Sequence, residues 1–497
     1  MKPRSLVLVT VDCLRADHVG FLGYSRPVTP FLDSLAERSA VFADAIVAGA
    51  PTYFSFPAIL ASRYPLALGR DILGVAPHEP TIASALKDAG YRTAAFVAGN
   101  PYLSSRFGYN QGFDSFNDFL NSTPDDEPSP PGNGFKSTFN RFVQSSASHS
   151  SLTAAAYEEL YFWYCQLRSA AEDFSMDTLR RYPAADVVVD QACSWLNGLA
   201  KEPFFLWLHL MDPHHPYYPP EDASSALKSK ISARRAVFLN SFWNRGHVAV
   251  RRLERYREEV VSLYDAGIYW VDKQISRLVS ALKQSQFWDD LVFVVTADHG
   301  EEFLEHGVRY HSPMSLPEQL IHVPLLLHAP ALSGHKLQMP FSLLHLAPTL
   351  LDAVGLQAPT SFQGRSFWPQ IFTGELPSEP AVVECVEACT NPFRRDDRIR
   401  PRLMAVRDQL YKLVINFREK ADRLYDLKND PEERFPLPAG YLPTERARLL
   451  LVAREHLQRT IHNRNADLRL RSRLGEIRQS AIAWNGRTSE LSVVERR

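Results

Sequence analysis

Three short stretches of the 497-residue chain carry residue types suited to metal-assisted ester chemistry. The first is Val9-Thr-Val-Asp12-Cys-Leu-Arg15-Ala-Asp17-His18. Asp12 lies just past an apolar run, where open α/β sheets place ligand-binding groups, and a carboxylate there suits a divalent cation. Taken alone, such an Asp also serves as a helix cap. The second is Val294-Val-Thr-Ala-Asp298-His299-Gly300-Glu301-Glu302. Adjacent Asp and His side chains converge on one ion if the chain turns at Gly300, and an O,N pair suits zinc, manganese or magnesium-like metals. Glu305-His306-Gly307 and Arg309-Tyr310-His311 put more imidazoles into the same loop. The third is His209-Leu-Met-Asp212-Pro213-His214-His215-Pro216-Tyr217, where prolines stiffen the backbone around a candidate general acid.

These stretches need a scaffold that brings strand ends together. Apolar, β-branched runs at Ser5–Val11, Thr93–Val97, Phe204–His209, Leu291–Thr296 and Val323–His328 read as buried strands. Between them, Thr29 caps a helix opened by Pro30, a second helix covers Thr81–Ala89, and a long one covers Glu258–Lys283 with a single apolar stripe. The pattern predicts an α/β fold, a doubly wound and mostly parallel sheet, over residues 1–379. Insertions fall within 121–257: a mobile Ser/Pro/Gly-rich loop or linker over 121–150, an aromatic helical stretch at 152–180, and an arginine-rich segment over 228–257. That last segment reads as a solvated helix face or as a lid attracting an anion. Residues 380–497 read as a small C-terminal subdomain, with short antiparallel strands followed by an amphipathic helix pair. The tail from Glu445 holds 12 Arg against 6 acids, a surplus of 12 − 6 = +6 that could meet an acidic partner.

Composition narrows the class. Lys+Arg 55 against Asp+Glu 56 gives a net charge of -1, so no nucleic-acid partner is expected. Five cysteines in no zinc-like spacing argue against a disulfide scaffold, and Cys385 and Cys389 read as ordinary thiols. No apolar run is long enough for a transmembrane helix, and Leu6–Val11 is too short for a signal peptide. The expectation is a cytoplasmic protein.

With the three stretches in place, further segments complete a resemblance. They are Thr29-Pro-Phe-Leu-Asp-Ser-Leu-Ala36, Ser62-Arg63-Tyr64-Pro65, and Leu424-Tyr425-Asp426-Leu427 with Asp430-Pro431 and Glu433. In content and order, Ser5–Glu433 resembles the sulfatases of the alkaline phosphatase superfamily. The resemblance implies a hydrolase of an anionic phosphate or sulfate ester. It also implies one divalent metal ion (Mn, Zn, Mg or Ca) held by Asp12, Thr52, Asp298 and His299. His214 matches the family's histidine that contacts substrate oxygens or assists the leaving group, and His311 matches a residue that binds a nonbridging oxygen.

The departures are informative. Sulfatases oxidise a Cys or Ser to formylglycine eleven residues before the Arg of Gly-Arg-Tyr-Pro; counting back from Arg63 reaches Thr52. Formylglycine is therefore not expected, and an unmodified Thr52 becomes the candidate nucleophile, as in phosphoryl-transferring relatives. Ser55 is a rival three residues too close, and a Thr at this place also caps the helix read over Ser55–Ser62. The family's second strand-one Asp is replaced by Cys13. Tyr264, Asp265, Asp272, Arg15, Asp17 and His18 read as structural. Besides phosphoester hydrolysis, the readings left open are a sulfuric ester hydrolase, a phosphoryl-group transferase, and a binding protein that keeps the fold without catalysis.

Overall fold

The apolar run Ser5–Val11 is buried at every residue, which requires a strand covered on both faces. The computed structural model describes residues 5–70, 72–120, 175–245, 248–330 and 332–461. Its strands are β1 (Ser5–Val11), β2 (Ala40–Ile46), β3 (Arg92–Val97), β4 (Ser115–Asn117), β5 (Phe204–Leu210), β6 (Leu291–Ala297), β7 (Glu302–Phe303), β8 (Arg309–Tyr310), β9 (His322–His328) and β10 (His335–Ser342). Eight of them form one sheet in the order β10-β2-β9-β6-β1-β5-β3-β4, and β7 pairs with β8 outside it. The sheet is mixed: β9 runs antiparallel to both β6 and β2, while the other pairs are parallel.

The five expected strands are all present. The additional β2 and β10 have physical reasons for being obscure in sequence, and the additional β4 is only 3 residues long. β2 carries Asp44 where its register with β9 slips, and Arg407 bonds that carboxylate. β10 contains Pro340 at a register shift, tolerable because it is an edge strand.

The helix Arg257–Gln284 packs with Ala185–Asn197 and Pro30–Ala36, and Thr52–Ala61 packs with Ile82–Asp88 and Leu346–Ala353. Thr29 differs from its expected role, because its hydroxyl makes no cap. Asp272, on the long helix, caps the Pro30–Ala36 helix instead, accepting from Phe31 N and Leu32 N at 2.9 and 2.8 Å. The helix beginning near Thr52 also differs: it starts at Thr52, not Ser55, with the carbonyl of Pro51 accepting from Phe54 N and Ser55 N.

After Pro380 comes the expected antiparallel sheet: β11 (Ala381–Val386), β12 (Arg402–Arg407), β13 (Tyr411–Asn416) and β14 (Ala421–Asp426). Alternation splits its faces. Val383, Cys385, Leu403 and Ala405 join the main core, while Val382, Met404, Val406, Leu413 and Leu424 pack with Leu449 and Ala453 of the helix Pro443–Ile461. Buried Lys412 ties this sheet to the first, reaching Glu318 at 3.1 Å and Glu433 at 2.5 Å. One tail helix is described. The second, with most of the basic tail, lies outside the described residues, as do the loop at 121–150 and most of the stretch at 152–180. In the arginine-rich segment, Arg235 pairs with Glu259 and Arg257 with Glu305. Among the described residues no helix is long and apolar enough to cross a membrane.

Gly267 lies on the long helix against the loop that carries His214. A Cβ there would sit 2.7 Å from the Asp212 carbonyl oxygen. Ala for Gly inside a helix ordinarily stabilises by ~1 kcal/mol. Here Gly267→Ala should instead destabilise by about 1–3 kcal/mol through overpacking. Denaturant unfolding checks the sign, and a gain in stability would contradict the close approach.

Candidate active site

Strand register brings the chemistry together. Val11 of β1 lies level with Leu210 of β5 and with Ala297 of β6. The next residue on β1 and on β6 is an aspartate, so two carboxylates leave the sheet side by side. Asp12 and Asp298 are both fully buried. Ligand atoms of Asp12, Asp298 and His299 lie within 4.8 Å of one another.

The surroundings suit a cation. His299 Nδ1 donates to the Gly300 carbonyl at 2.8 Å, which turns Nε2 inward. That nitrogen is 3.0 Å from Thr52 Oγ1, 3.7 Å from Asp12 Oδ1 and 3.6 Å from Asp298 Oδ2. Asp298 Oδ2 is buried and has no hydrogen-bond partner among the described residues. Burial and the charge of Asp12 push Asp298 up to about 8. Burial also works to raise Asp12, but His214, the His209 hydrogen bond and His299 outweigh it and hold Asp12 low. Burial lowers His299 to about 4, leaving a neutral imidazole, the form that ligates metals. Two carboxylate oxygens, an imidazole nitrogen and a hydroxyl fit the single divalent ion that the sequence suggests.

Thr52 opens its helix and makes no capping bond. Its hydroxyl faces His299 instead, while Ser55 Oγ is buried without a partner. Gly300 is required by a close approach, since a Cβ would lie 2.0 Å from the Gln319 carbonyl oxygen.

His214 and His311 stand over this floor with ring centroids 5.0 Å apart, and His311 is 4.8 Å from His299. His214 Nδ1 donates to the His215 carbonyl, so its Nε2 is the free nitrogen. Burial lowers His214. His311 goes the other way: burial pulls it down, but the charge of Glu301, 3.4 Å from Nδ1, raises it overall. His215 stacks on His214 and lies tilted against Tyr310. His306 turns away to Glu302 and the Glu432 carbonyl. Arg15, Asp17, His18, Tyr264 and Asp265 frame the loop after β1. Arg15 bonds Asp17 and Glu305, and Asp265 accepts from His18, Tyr24 and Arg26.

Three residues at the site were not singled out individually by sequence reasoning. Asn100 Nδ2 donates to Asp12 Oδ2 at 2.9 Å, and His209 Nε2 meets the same oxygen at 3.2 Å. His209 Nδ1 contacts Thr10 Oγ1 at 3.0 Å, so this histidine lies beneath the floor rather than in the mouth with His214. Asn100 follows β3, and applying the strand-end rule to β3 would have found it. Glu301, quoted only as part of its motif, is the partner of His311.

Asp298→Ala should abolish metal retention while leaving the fold intact. Elemental analysis paired with circular dichroism checks this, and full occupancy in the variant would contradict the site.

Comparison with known proteins places this geometry in a family. Residues 4–356 match the family model Sulfatase, and residues 305–437 match that of N-sulphoglucosamine sulphohydrolase, C-terminal. Arylsulfatase K of Xenopus laevis is 27% identical over 286 residues, 51% of this chain and 52% of that protein. Choline-sulfatase of Rhizobium meliloti (strain 1021) is 24% identical over 302 residues, 56% of each. The chain thus spans about half the length of these curated relatives. Among solved structures, a protein in complex with its substrate D-glucosamine-2-N,6-O-disulfate superposes with a TM-score of 0.66 at 18% identity, covering 93% of this chain and 99% of the other. The phosphonate monoester hydrolase of Silicibacter pomeroyi gives 0.65 at 21% identity, covering 93% and 96%. At such identities the structural likeness speaks for the fold; the family match, extending over most of the chain, shows that this protein belongs to the sulfatase family.

Proposed function

We propose that the chain is a metal-dependent hydrolase of an anionic ester, phosphate in preference to sulfate, working through a covalent Thr52 intermediate. The observation that carries this reading is the placement of Thr52 Oγ1, 3.0 Å from His299 Nε2 beside two buried carboxylates. Thr52 is also the first residue of a ten-residue helix, whose amide dipoles and free N–H groups favour an incoming anion. A divalent cation held by Asp12, Asp298 and His299 would lower the hydroxyl's pKa and offset charge developing on the transferred group.

The chain's own groups divide the remaining work. Thr52 loses its hydroxyl proton to solvent and attacks in line at phosphorus, and the bond to the alcohol oxygen breaks. His214 Nε2 gives that oxygen a proton. His311, raised by Glu301, holds a nonbridging oxygen as an imidazolium. Water then cleaves the Thr52 ester, its oxygen going to phosphorus and a proton to Thr52 Oγ1, and His214 regains its proton from solvent. Formylglycine has no part in this scheme, because residue 52 is a threonine.

A sulfate ester is the second reading, favoured by the names of the curated relatives, arylsulfatase K and choline-sulfatase. Steady-state assays of the metal-loaded protein on aryl sulfates, phosphomonoesters and phosphodiesters separate the two. Transfer to an added alcohol or amine would reveal a transferase.

Thr52→Ala should lose nearly all activity, whereas Thr52→Ser keeps a hydroxyl and a measurable fraction of it. Quenched turnover analysed by peptide mass spectrometry should show an unoxidised residue 52 carrying the transferred group. A dead Ser55→Ala beside an active Thr52→Ala would move the nucleophile to Ser55.

His214→Ala should cost ~10²–10⁴-fold on esters with basic leaving groups and far less on activated aryl esters. An acid must be protonated to act, so kcat/KM for basic leaving groups falls as pH rises through the His214 pKa. Burial sets that limb below the ordinary histidine value. Equal losses on both substrate types would assign His214 to binding alone.

A further inference from the structure

We propose that His214, His215 and His311 form a second metal site, in the mouth above the floor, which takes zinc or a cation of similar chemistry, and that an ion there silences the enzyme. The binding stands on geometry alone; the silencing rests on the roles given above to His214 and His311.

A ligand nitrogen of each of the three lies within 4.8 Å of those of the other two. The trio shares no member with Asp12, Asp298 and His299, so the two groups can each hold an ion. They also differ in access. The floor residues are buried, whereas all three histidines are partly exposed and open to an ion from solvent. On a tetrahedral zinc, nitrogens bound at about 2.0–2.1 Å stand roughly 3.3 Å apart, a spacing that small side-chain rotations reach.

The backbone brings the rings together. His214 N donates to the Met211 carbonyl at 2.9 Å, closing a turn after β5, and Tyr182 donates its hydroxyl proton to the His214 carbonyl. Tyr310 of β8 has a left-handed backbone, φ 67, which a bulky residue keeps only under support. Arg309 beside it is held by the Trp243 carbonyl. The turn puts the His311 ring 5.0 Å from that of His214 and 5.8 Å from that of His215.

Metal-binding histidines have their other nitrogen held by an acceptor. His214 Nδ1 donates to the His215 carbonyl and His311 Nδ1 meets Glu301 Oε2 at 3.4 Å, which leaves both Nε2 atoms for an ion. His215 has no task in the reaction above, yet its Nδ1 is buried and has no hydrogen-bond partner among the described residues. Burial, with His214 and His311 beside it, keeps His215 a neutral imidazole with a lone pair to offer. Three imidazoles suit zinc and its neighbours, whereas calcium and magnesium take oxygen ligands. An ion on these nitrogens deprives His214 of the proton meant for the leaving oxygen and takes His311 from the anion; the displaced protons pass to solvent.

The test uses the full chain, loaded with metal and washed briefly with a chelator, which should empty the open mouth before the buried floor. Equilibrium dialysis with added zinc should then show one further equivalent bound. Turnover of esters with basic leaving groups should fall ~10²-fold or more, and a second wash should restore it. His215→Ala keeps the carbonyl that orients His214, so it should keep its turnover. It should weaken binding of the further zinc beyond the ~10–100-fold typical of an outer-shell partner. Independently, X-ray absorption of zinc added to stripped Asp298→Ala should show three imidazole nitrogens at about 2.0–2.1 Å. No further equivalent in wild type, or one that survives His215→Ala, overturns the site and leaves the proposed function standing. A further equivalent that is lost with His215 yet leaves turnover unchanged supports the site, and overturns the silencing together with the roles of His214 and His311.

Discussion

The arrangement depends on one electrostatic conflict. Register of β1 with β6 sets Asp12 and Asp298 side by side in a place closed to water. Two unscreened negative charges within 4.8 Å repel by roughly 3–4 kcal/mol at an effective dielectric of ~20. The polypeptide resolves this unequally. Asp12 is surrounded by His209, His214, His299 and Asn100, and stays ionised. Asp298 is left with an oxygen that no described residue satisfies. A divalent cation answers both needs, and Thr52 is positioned where such a charge would act on its hydroxyl.

Around that floor, rigidity comes from paired backbone contacts rather than from long loops. Gly267 lets the long helix touch the Asp212 carbonyl, and Gly300 lets the Asp298 loop touch Gln319. Asn240 bonds both N and O of Tyr217, tying the arginine-rich segment to the His214 loop. The segment therefore buttresses the mouth of the site, and two of its arginines are neutralised by Glu259 and Glu305.

Much of this was legible in the sequence. β1, β5 and β6 are almost wholly apolar and end in polar residues, so the strands and the candidate ligands at their ends could be read together. Thr52 was reached by its distance from Arg63. What stayed hidden depends on partners distant in the chain. The cap of the Pro30–Ala36 helix comes from Asp272, and no local pattern reveals it. Asn100, in Gly99-Asn100-Pro101, looks like an ordinary turn until β3 is placed beside β5. His306 belongs by sequence to the site loop, yet the Glu432 carbonyl draws it to the other subdomain. β9 ran opposite to the simplest expectation because direction leaves no trace in a buried apolar run.

The buried Lys412 has a consequence for how the protein comes into being. Its partner Glu318 follows the loop that bears His311, and Glu433 completes the cluster while also accepting from Glu318 N. During synthesis on the ribosome, Glu318 emerges almost a hundred residues before the cation that satisfies it. Before Lys412, that carboxylate faces His322 at 4.0 Å and Arg407 at 3.4 Å. The partners that hold the segment after His311 therefore come from β13 and the Glu433 turn, which follow the whole eight-stranded sheet in the chain.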